Sequence, residues 1–79
     1  MDYDHDKVDD AVLALLYLTR CDRGVGAASW KGHDWDALNR LFDKGYIGDP
    51  VNKNKSVWLT DEGQARSKEL FYKLFGKSK

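Results

Sequence analysis

The chain has 79 residues, a single cysteine and a formal charge of zero from 13 basic and 13 acidic side chains. This leaves room for one domain, spanning 1–79, and none for an internal disulfide. The longest apolar run, Ala11 to Leu18, falls far short of the ~20 residues that cross a bilayer, so no membrane association is expected. The lone Cys21, with no apolar leader ahead of it, gives the expectation of a reducing cytoplasm. A chain of this size buries only about 60–65% of the surface its unfolded form exposes, near the limit where oligomers often help.

The charge is unevenly spread. Residues 1–10 carry Asp2, Asp4, Asp6, Asp9 and Asp10 against Lys7 alone, whereas residues 51–79 carry a surplus of lysine. Acidic residues suit a helix N-terminus and lysines a C-terminus, and the same dipole could steer self-association or an acidic partner. The first helix is expected from about Asp6 to Thr19, with Asp4 or Asp6 accepting from its first N–H groups. Val8, Ala11, Val12, Leu13, Leu15, Leu16, Tyr17 and Leu18 leave almost no polar face in its last two turns. A helix apolar all round must be covered on all sides, so one side is assigned to the core and the other to a second copy or a partner.

Cys21 to Gly32 reads as a glycine-rich loop, with a third short strand over Ala28 to Lys31. The second helix starts at the N-cap Asp34 and sorts Trp35, Leu38, Leu41 and Phe42 onto one side and Asp36, Asn39, Arg40 and Asp43 onto the other. Gly45 stops it in the left-handed conformation, with Tyr46 closing back on Leu41. Tyr46 to Val51 and Ser56 to Leu59 read as a hairpin around Asn52-Lys53-Asn54-Lys55, with Val57 and Leu59 inward and Pro50 marking an edge. Thr60 caps the last helix, Asp61 and Glu62 favour its dipole, and Gly63 permits a close neighbour. Leu70, Phe71, Leu74 and Phe75 form an apolar stripe ending among Lys73, Lys77 and Lys79.

Helix, Lys44-Gly45-Tyr46-Ile47, hairpin, then Leu59-Thr60-Asp61-Glu62-Gly63 is the order in which winged-helix domains are commonly written. The expected class is therefore α+β, a small winged-helix-like domain: helix, glycine-rich loop with a short strand, helix, β-hairpin wing, C-terminal helix. Those segments, taken with Asp2-Tyr3-Asp4, Lys7-Val8-Asp9, the block Ala11 to Thr19, Trp30-Lys31-Gly32, Asp34-Trp35-Asp36 and Lys55-Ser56-Val57, resemble a family of small bacterial proteins of unknown function. The likeness covers nearly the whole chain; Cys21, His33 and Phe42 depart from its usual residues. It implies a cytoplasmic bacterial protein of winged-helix-like fold and names no substrate.

No catalytic, cofactor-binding or metal signature emerges. Gly24-x-Gly26-x-x-Ser29-x-Lys31 lacks P-loop spacing and follows no buried strand. Asp2, Asp4, His5 and Asp6 form a terminal run without the second shell of a dedicated metal site. Cys21 and His33 have no orienting third group. The expectation is a non-catalytic, protein-interacting or regulatory homodimer, with Leu13, Tyr17, Trp30, Trp58, Phe71 and Phe75 as candidate surface. Trp35 is assigned to the core. Trp30 either covers the core or anchors a partner, and Trp58, alternating away from Val57 and Leu59, either anchors a partner or packs on Trp30.

The alternative is a DNA-binding transcriptional regulator using helix 35–44 and the wing 52–56. Asn39 and Arg40 would read base edges while Lys53 and Lys55 contact phosphates. Asp36 and Asp43 cancel Arg40 and Lys44 on that helix, whereas DNA affinity needs a cation surplus.

Overall fold

The computed structural model of the protein describes residues 2–22, 26–51 and 55–77. The order of elements is α1 (His5–Leu18), β1 (Arg20–Asp22), β2 (Ala27–Trp30), α2 (Trp35–Asp43), β3 (Ser56–Leu59) and α3 (Asp61–Phe75). Three helices and a three-stranded antiparallel sheet make the fold α+β, as expected, with the element set of a small winged-helix-like domain.

Each helix begins where its capping chemistry directs. Asp4 accepts from the Lys7 amide at 3.1 Å, Asp34 from Ala37 at 3.1 Å and the Thr60 hydroxyl from Gly63 at 2.9 Å, each satisfying an otherwise orphaned first-turn donor. Gly45, at φ +82°, ends α2. The Tyr46 amide then donates to Leu41 O at 3.1 Å and the Gly45 amide to Phe42 O at 3.0 Å, the paired bonds of a Schellman closure.

The sheet is built differently from the expected hairpin. Its order is β1-β2-β3, with Ala28 paired to both Cys21 and Trp58. The expected strand Ala28 to Lys31 is present as β2 and sits at the centre. Although Cys21 and Asp22 read from sequence as the start of the loop, Arg20–Asp22 is a strand. Tyr46 to Val51 is not: its sheet pairing is the single bridge Ile47 to Leu59, and Pro50, which has no amide to donate, is buried. Of the expected wing turn at 52–55, residues 52–54 lie outside the described residues. Between Cys21 and His33 the chain forms this strand pair, so no further helix lies between α1 and α2 among the described residues.

Side chains alternate across the sheet as strand geometry requires. Ala27, Ser29, Val57 and Leu59 are buried on the helix-facing side, while Trp30 and Trp58 project from the other. The core joins Val12, Leu13, Ala14 and Leu16 of α1 to Ala37, Leu38 and Leu41 of α2, Ile47, Val57, Leu59 and Leu70. α1 packs on α3, α2 and β2 together. Most of its apolar circumference is therefore covered within the chain, while Leu18 at its end stays 59% exposed. Leu13 in particular is 1% exposed and belongs to the core, not to an interaction surface.

Two small residues let α3 come close. A Cβ on Gly63 would lie 1.8 Å from Tyr46 O, as expected of a glycine at a close approach. Ser67, fully buried, satisfies its hydroxyl on Gln64 O at 2.9 Å. At the other end of α1, the Thr19 hydroxyl donates to Leu15 O at 3.2 Å and stands 2.7 Å from the buried Ser29 hydroxyl. That geometry makes Ser29 the donor to Thr19 and ties the helix end to β2 without an unpaired polar group.

Candidate functional site

Turning round α2 at 3.6 residues per turn separates its side chains into successive sectors. Phe42 and Trp35 lie beside Asn39, then come Asp43 and Asp36, then Arg40 and Lys44, and last the buried sector Ala37, Leu41 and Leu38. Trp35 is 49% exposed and Phe42 42% exposed, so the assignment of Trp35 to the core is corrected. Its ring lies 5.8 Å from the Lys31 ammonium, within the range of a cation–π contact. That ammonium also donates to Pro50 O at 2.7 Å.

Arg40 and Lys44 are drawn to a carboxylate that the sequence reading assigned only to a helix dipole. Asp9 is fully buried, because it falls in line with Val12, Leu13 and Leu16 on the inward stripe of α1. The Arg40 Nε donates to both Asp9 oxygens at 2.9 Å, its Nη2 lies 2.8 Å from Oδ1, and Lys44 Nζ reaches Oδ2 at 3.0 Å. Lys44 also reaches Asp6 at 3.4 Å. Burial by itself would raise the Asp9 pKa; the hydrogen bonds and charges of Arg40 and Lys44 outweigh it and hold the carboxyl below its usual value. The hydrogen bond to Asp9 raises the Arg40 pKa, and Lys44 is raised by the same carboxylate against the opposing effect of its burial.

This cluster changes the proposed DNA contacts. Arg40 is engaged with a buried carboxylate, so its guanidinium fork is not presented outward for a guanine edge. Asn39 is exposed between Asp36 and Asp43, both also exposed. Lys55 is exposed next to β3, and its carbonyl accepts from the Lys31 amide at 3.1 Å. Lys53 lies outside the described residues. Of the three described, Arg40 is turned to Asp9 and Asn39 lies among exposed aspartates, so they do not make a cationic surface.

The second surface lies along α1 and α3. Tyr17, Phe71, Tyr72 and Phe75 form a chain of ring contacts, with centroids 5.5 Å apart for Tyr17–Phe71, 5.6 Å for Phe71–Tyr72 and 5.8 Å for Phe71–Phe75. Arg20 closes over the Tyr17 ring at 3.8 Å and donates to the Tyr17 carbonyl at 2.8 Å. The apolar stripe of α3 starts in the core at Leu70, is half-buried at Phe71 and emerges at Leu74 and Phe75, each about half exposed, with Tyr72 beside them. A groove of about 560 Å³ opens between the helices, lined by Lys7, Asp10 and Ala11 of α1 and Lys73, Leu74 and Phe75 of α3. Of the proposed interaction residues, Tyr17, Phe71 and Phe75 therefore come together. Trp30 and Trp58 form a separate pair of exposed rings on the outer sheet face, and the Trp58 ring lies over Gly26.

Cys21 is exposed and free on β1, and His33, between β2 and α2, has its pKa lowered by burial. Among the described residues no three His, Cys, Asp or Glu side chains gather as metal ligands would. No helix there is long and apolar enough to cross a membrane.

Residues 4–77 match the model of a family described as a domain of unknown function, DUF6429. The chain belongs to this family. An uncharacterized protein, y4hR, of the bacterium Sinorhizobium fredii (strain NBRC 101917 / NGR234) is 56% identical to it over 79 residues, covering 95% of this chain and 97% of that protein. No solved structure matches. The DUF6429 match spans all six elements of the fold, and it agrees with the resemblance to small bacterial proteins read from the sequence.

Proposed function

We propose that this DUF6429 protein is a non-catalytic, cytoplasmic protein-interaction module that acts as a homodimer through the α1–α3 face. The observation that carries the reading is the apolar stripe of α3, which leaves the core at Leu70 and continues outward through Leu74 and Phe75 over a groove shared with α1. Contiguous exposed aromatic and aliphatic side chains are characteristic of association surfaces. A second copy is the fitting occupant because the groove carries both signs of charge, Asp10 on α1 and Lys7 and Lys73 flanking it. A two-fold arrangement repeats each contact twice, so a patch that is self-complementary in charge is suited to it.

The buried Asp9 cluster weighs against the alternative of a DNA-binding regulator. With Arg40 and Lys44 committed to Asp9, the most exposed charges of α2 are Asp36 and Asp43, which would face phosphate with the wrong sign.

Two measurements separate the readings. Sedimentation equilibrium is expected to give a dimer for the wild-type protein and a monomer of intact fold for Leu74→Asp/Phe75→Asp. Fluorescence anisotropy with labelled mixed-sequence duplex DNA is expected to show no association at low salt. Binding in the range of about 1–100 μM that weakens steeply with added salt would instead establish the DNA reading.

A further inference from the structure

We propose that the outward arc of α2 docks a basic amphipathic segment of a partner protein, with Trp35 as the apolar anchor and Asp36 and Asp43 as its charge partners. This surface is distinct from the α1–α3 face. The two could therefore act together, one pairing copies of the chain and the other recruiting a different protein.

α2 holds its two signs of charge apart. The sequence of the helix is nearly balanced, with Asp36 and Asp43 against Arg40 and Lys44, yet the fold separates the signs. Both cations reach back to the fully buried Asp9, whose desolvated carboxylate requires them. Asp36 and Asp43 stay exposed, two helical turns apart on one line of the helix. Beside that line run Trp35 and Phe42, also exposed and also two turns apart, with Asn39 between the two lines. The arc is thus an apolar strip bordered by acid, the neighbouring cations Arg40 and Lys44 being engaged by Asp9.

Such a strip is matched by a segment that presents apolar side chains flanked by arginine or lysine. Tryptophan supplies a large contact area at small entropic cost and is a common energetic anchor of interfaces. The Trp35 ring already faces one cation, the Lys31 ammonium at 5.8 Å, and an arginine or lysine of the partner would meet the same electron-rich face. A helix laid across α2 would read the strip through residues spaced i, i+4 and i+7. Nucleic acid would be repelled by the same carboxylates.

The test uses the full chain and a fluorescein-labelled amphipathic peptide of about 16 residues with leucines at helical i, i+4 and i+7 spacing flanked by arginines. A twin carries glutamate at every arginine position. The arginine peptide is expected to bind and its twin not. Asp36→Lys/Asp43→Lys should weaken binding by about tenfold or more, as like charges across an interface oppose association. Trp35→Ala should weaken it at unchanged net charge, and Leu74→Asp/Phe75→Asp should leave it intact, which keeps this surface separable from the dimer face. Equal binding of the two peptides, no binding of the arginine peptide at about 1 mM, or binding that neither α2 variant changes would each overturn the proposal. A further outcome identifies a different occupant. If the wild-type protein forms species larger than a dimer and Asp36→Lys/Asp43→Lys abolishes them, the arc is filled by the lysine-rich α3 end of another copy, and the partner-segment reading is wrong.

Discussion

α2 and the last two turns of α3 both pair an apolar sector with aspartate, lysine or arginine, yet the fold treats their charges in opposite ways. In α2 the cations Arg40 and Lys44 turn inward to a buried carboxylate, leaving aspartates and Trp35 at the surface. At the end of α3, Lys73 and, just past the helix, Lys77 stay exposed beside Leu74 and Phe75. The difference is set by a residue on neither helix. Asp9 stands fully buried on the stripe of α1 opposite α2, whereas the carboxylate of α1 that shares the groove with the end of α3, Asp10, is only part-buried. One buried anion thus gives a helix of balanced charge an acidic, aromatic outer face, whereas the α3 end keeps the basic surface its sequence suggests.

The largest effect should come from testing where the core ends. Leu13→Ala removes a fully buried side chain and is expected to destabilise the fold by about 3 kcal/mol. Phe75→Ala, on the exposed part of the α3 stripe, should change monomer stability by less than about 1 kcal/mol. Urea denaturation of both variants under conditions that hold the oligomeric state fixed provides the comparison; equal losses would mean that Phe75 is as much a part of the core as Leu13.

Removing the charge that distinguishes the helices comes next. Asp9→Asn strands Arg40 and Lys44 without their carboxylate and is expected to cost about 2 kcal/mol, below the full penalty of a buried pair because both cations retain access to water. Its thermal midpoint should fall accordingly, while Asp43→Asn, on the exposed arc of the same helix, should leave the midpoint nearly unchanged.

pH gives a smaller and more specific handle on the same cluster. Because the folded pKa of Asp9 lies below its ordinary 3.8, its contribution is fully present above that value and is lost as pH falls through the lower folded value. His33 has a lowered folded pKa as well, so the unfolded chain takes up its proton first and stability declines as pH drops below about 6.5. Two steps are therefore expected in stability against pH. Asp9→Asn should remove the acidic one and His33→Gln the one nearer neutrality. Persistence of the acidic step in Asp9→Asn would assign it to other carboxylates.

The local signals of this fold were legible in the sequence, and the non-local ones were not. Thr60, Asp34 and Gly45 act within a turn of themselves, so the start of α3 and both ends of α2 followed from residue chemistry alone. Gly63 was legible for a related reason: a glycine in the first turn of a helix signals a close neighbour, here Tyr46 O. Strand pairing depends on distant partners. Ala27 and Ala28 carry little strand preference of their own and lie in the central strand because β1 and β3 flank them. Tyr46 to Val51 has a strand-like pattern yet makes one bridge, Ile47 to Leu59, on the edge of β3 opposite β2, and Pro50 has no amide with which to extend the ladder.

The candidate surfaces divide in the same way. Trp58 was placed outward correctly because strands alternate strictly, with Val57 and Leu59 fixing the inner side. Trp35 was misplaced because apolar character was equated with burial, although a large side chain at the rim of a helix's apolar sector is frequently left half exposed. Leu13 was misplaced because the burial of α1 on three sides is a tertiary fact. The Asp9 cluster had a signal that could have been used: a carboxylate in phase with Val12, Leu13 and Leu16 must find a cation, and the cations of α2 were available.

The most direct test of the account is sedimentation equilibrium of the wild-type protein and of Leu74→Asp/Phe75→Asp, run from about 10 μM to about 0.5 mM to cover weak as well as tight pairing. A dimer is expected for the wild-type chain and a folded monomer for the variant. A wild-type protein that remains monomeric across that range would contradict it.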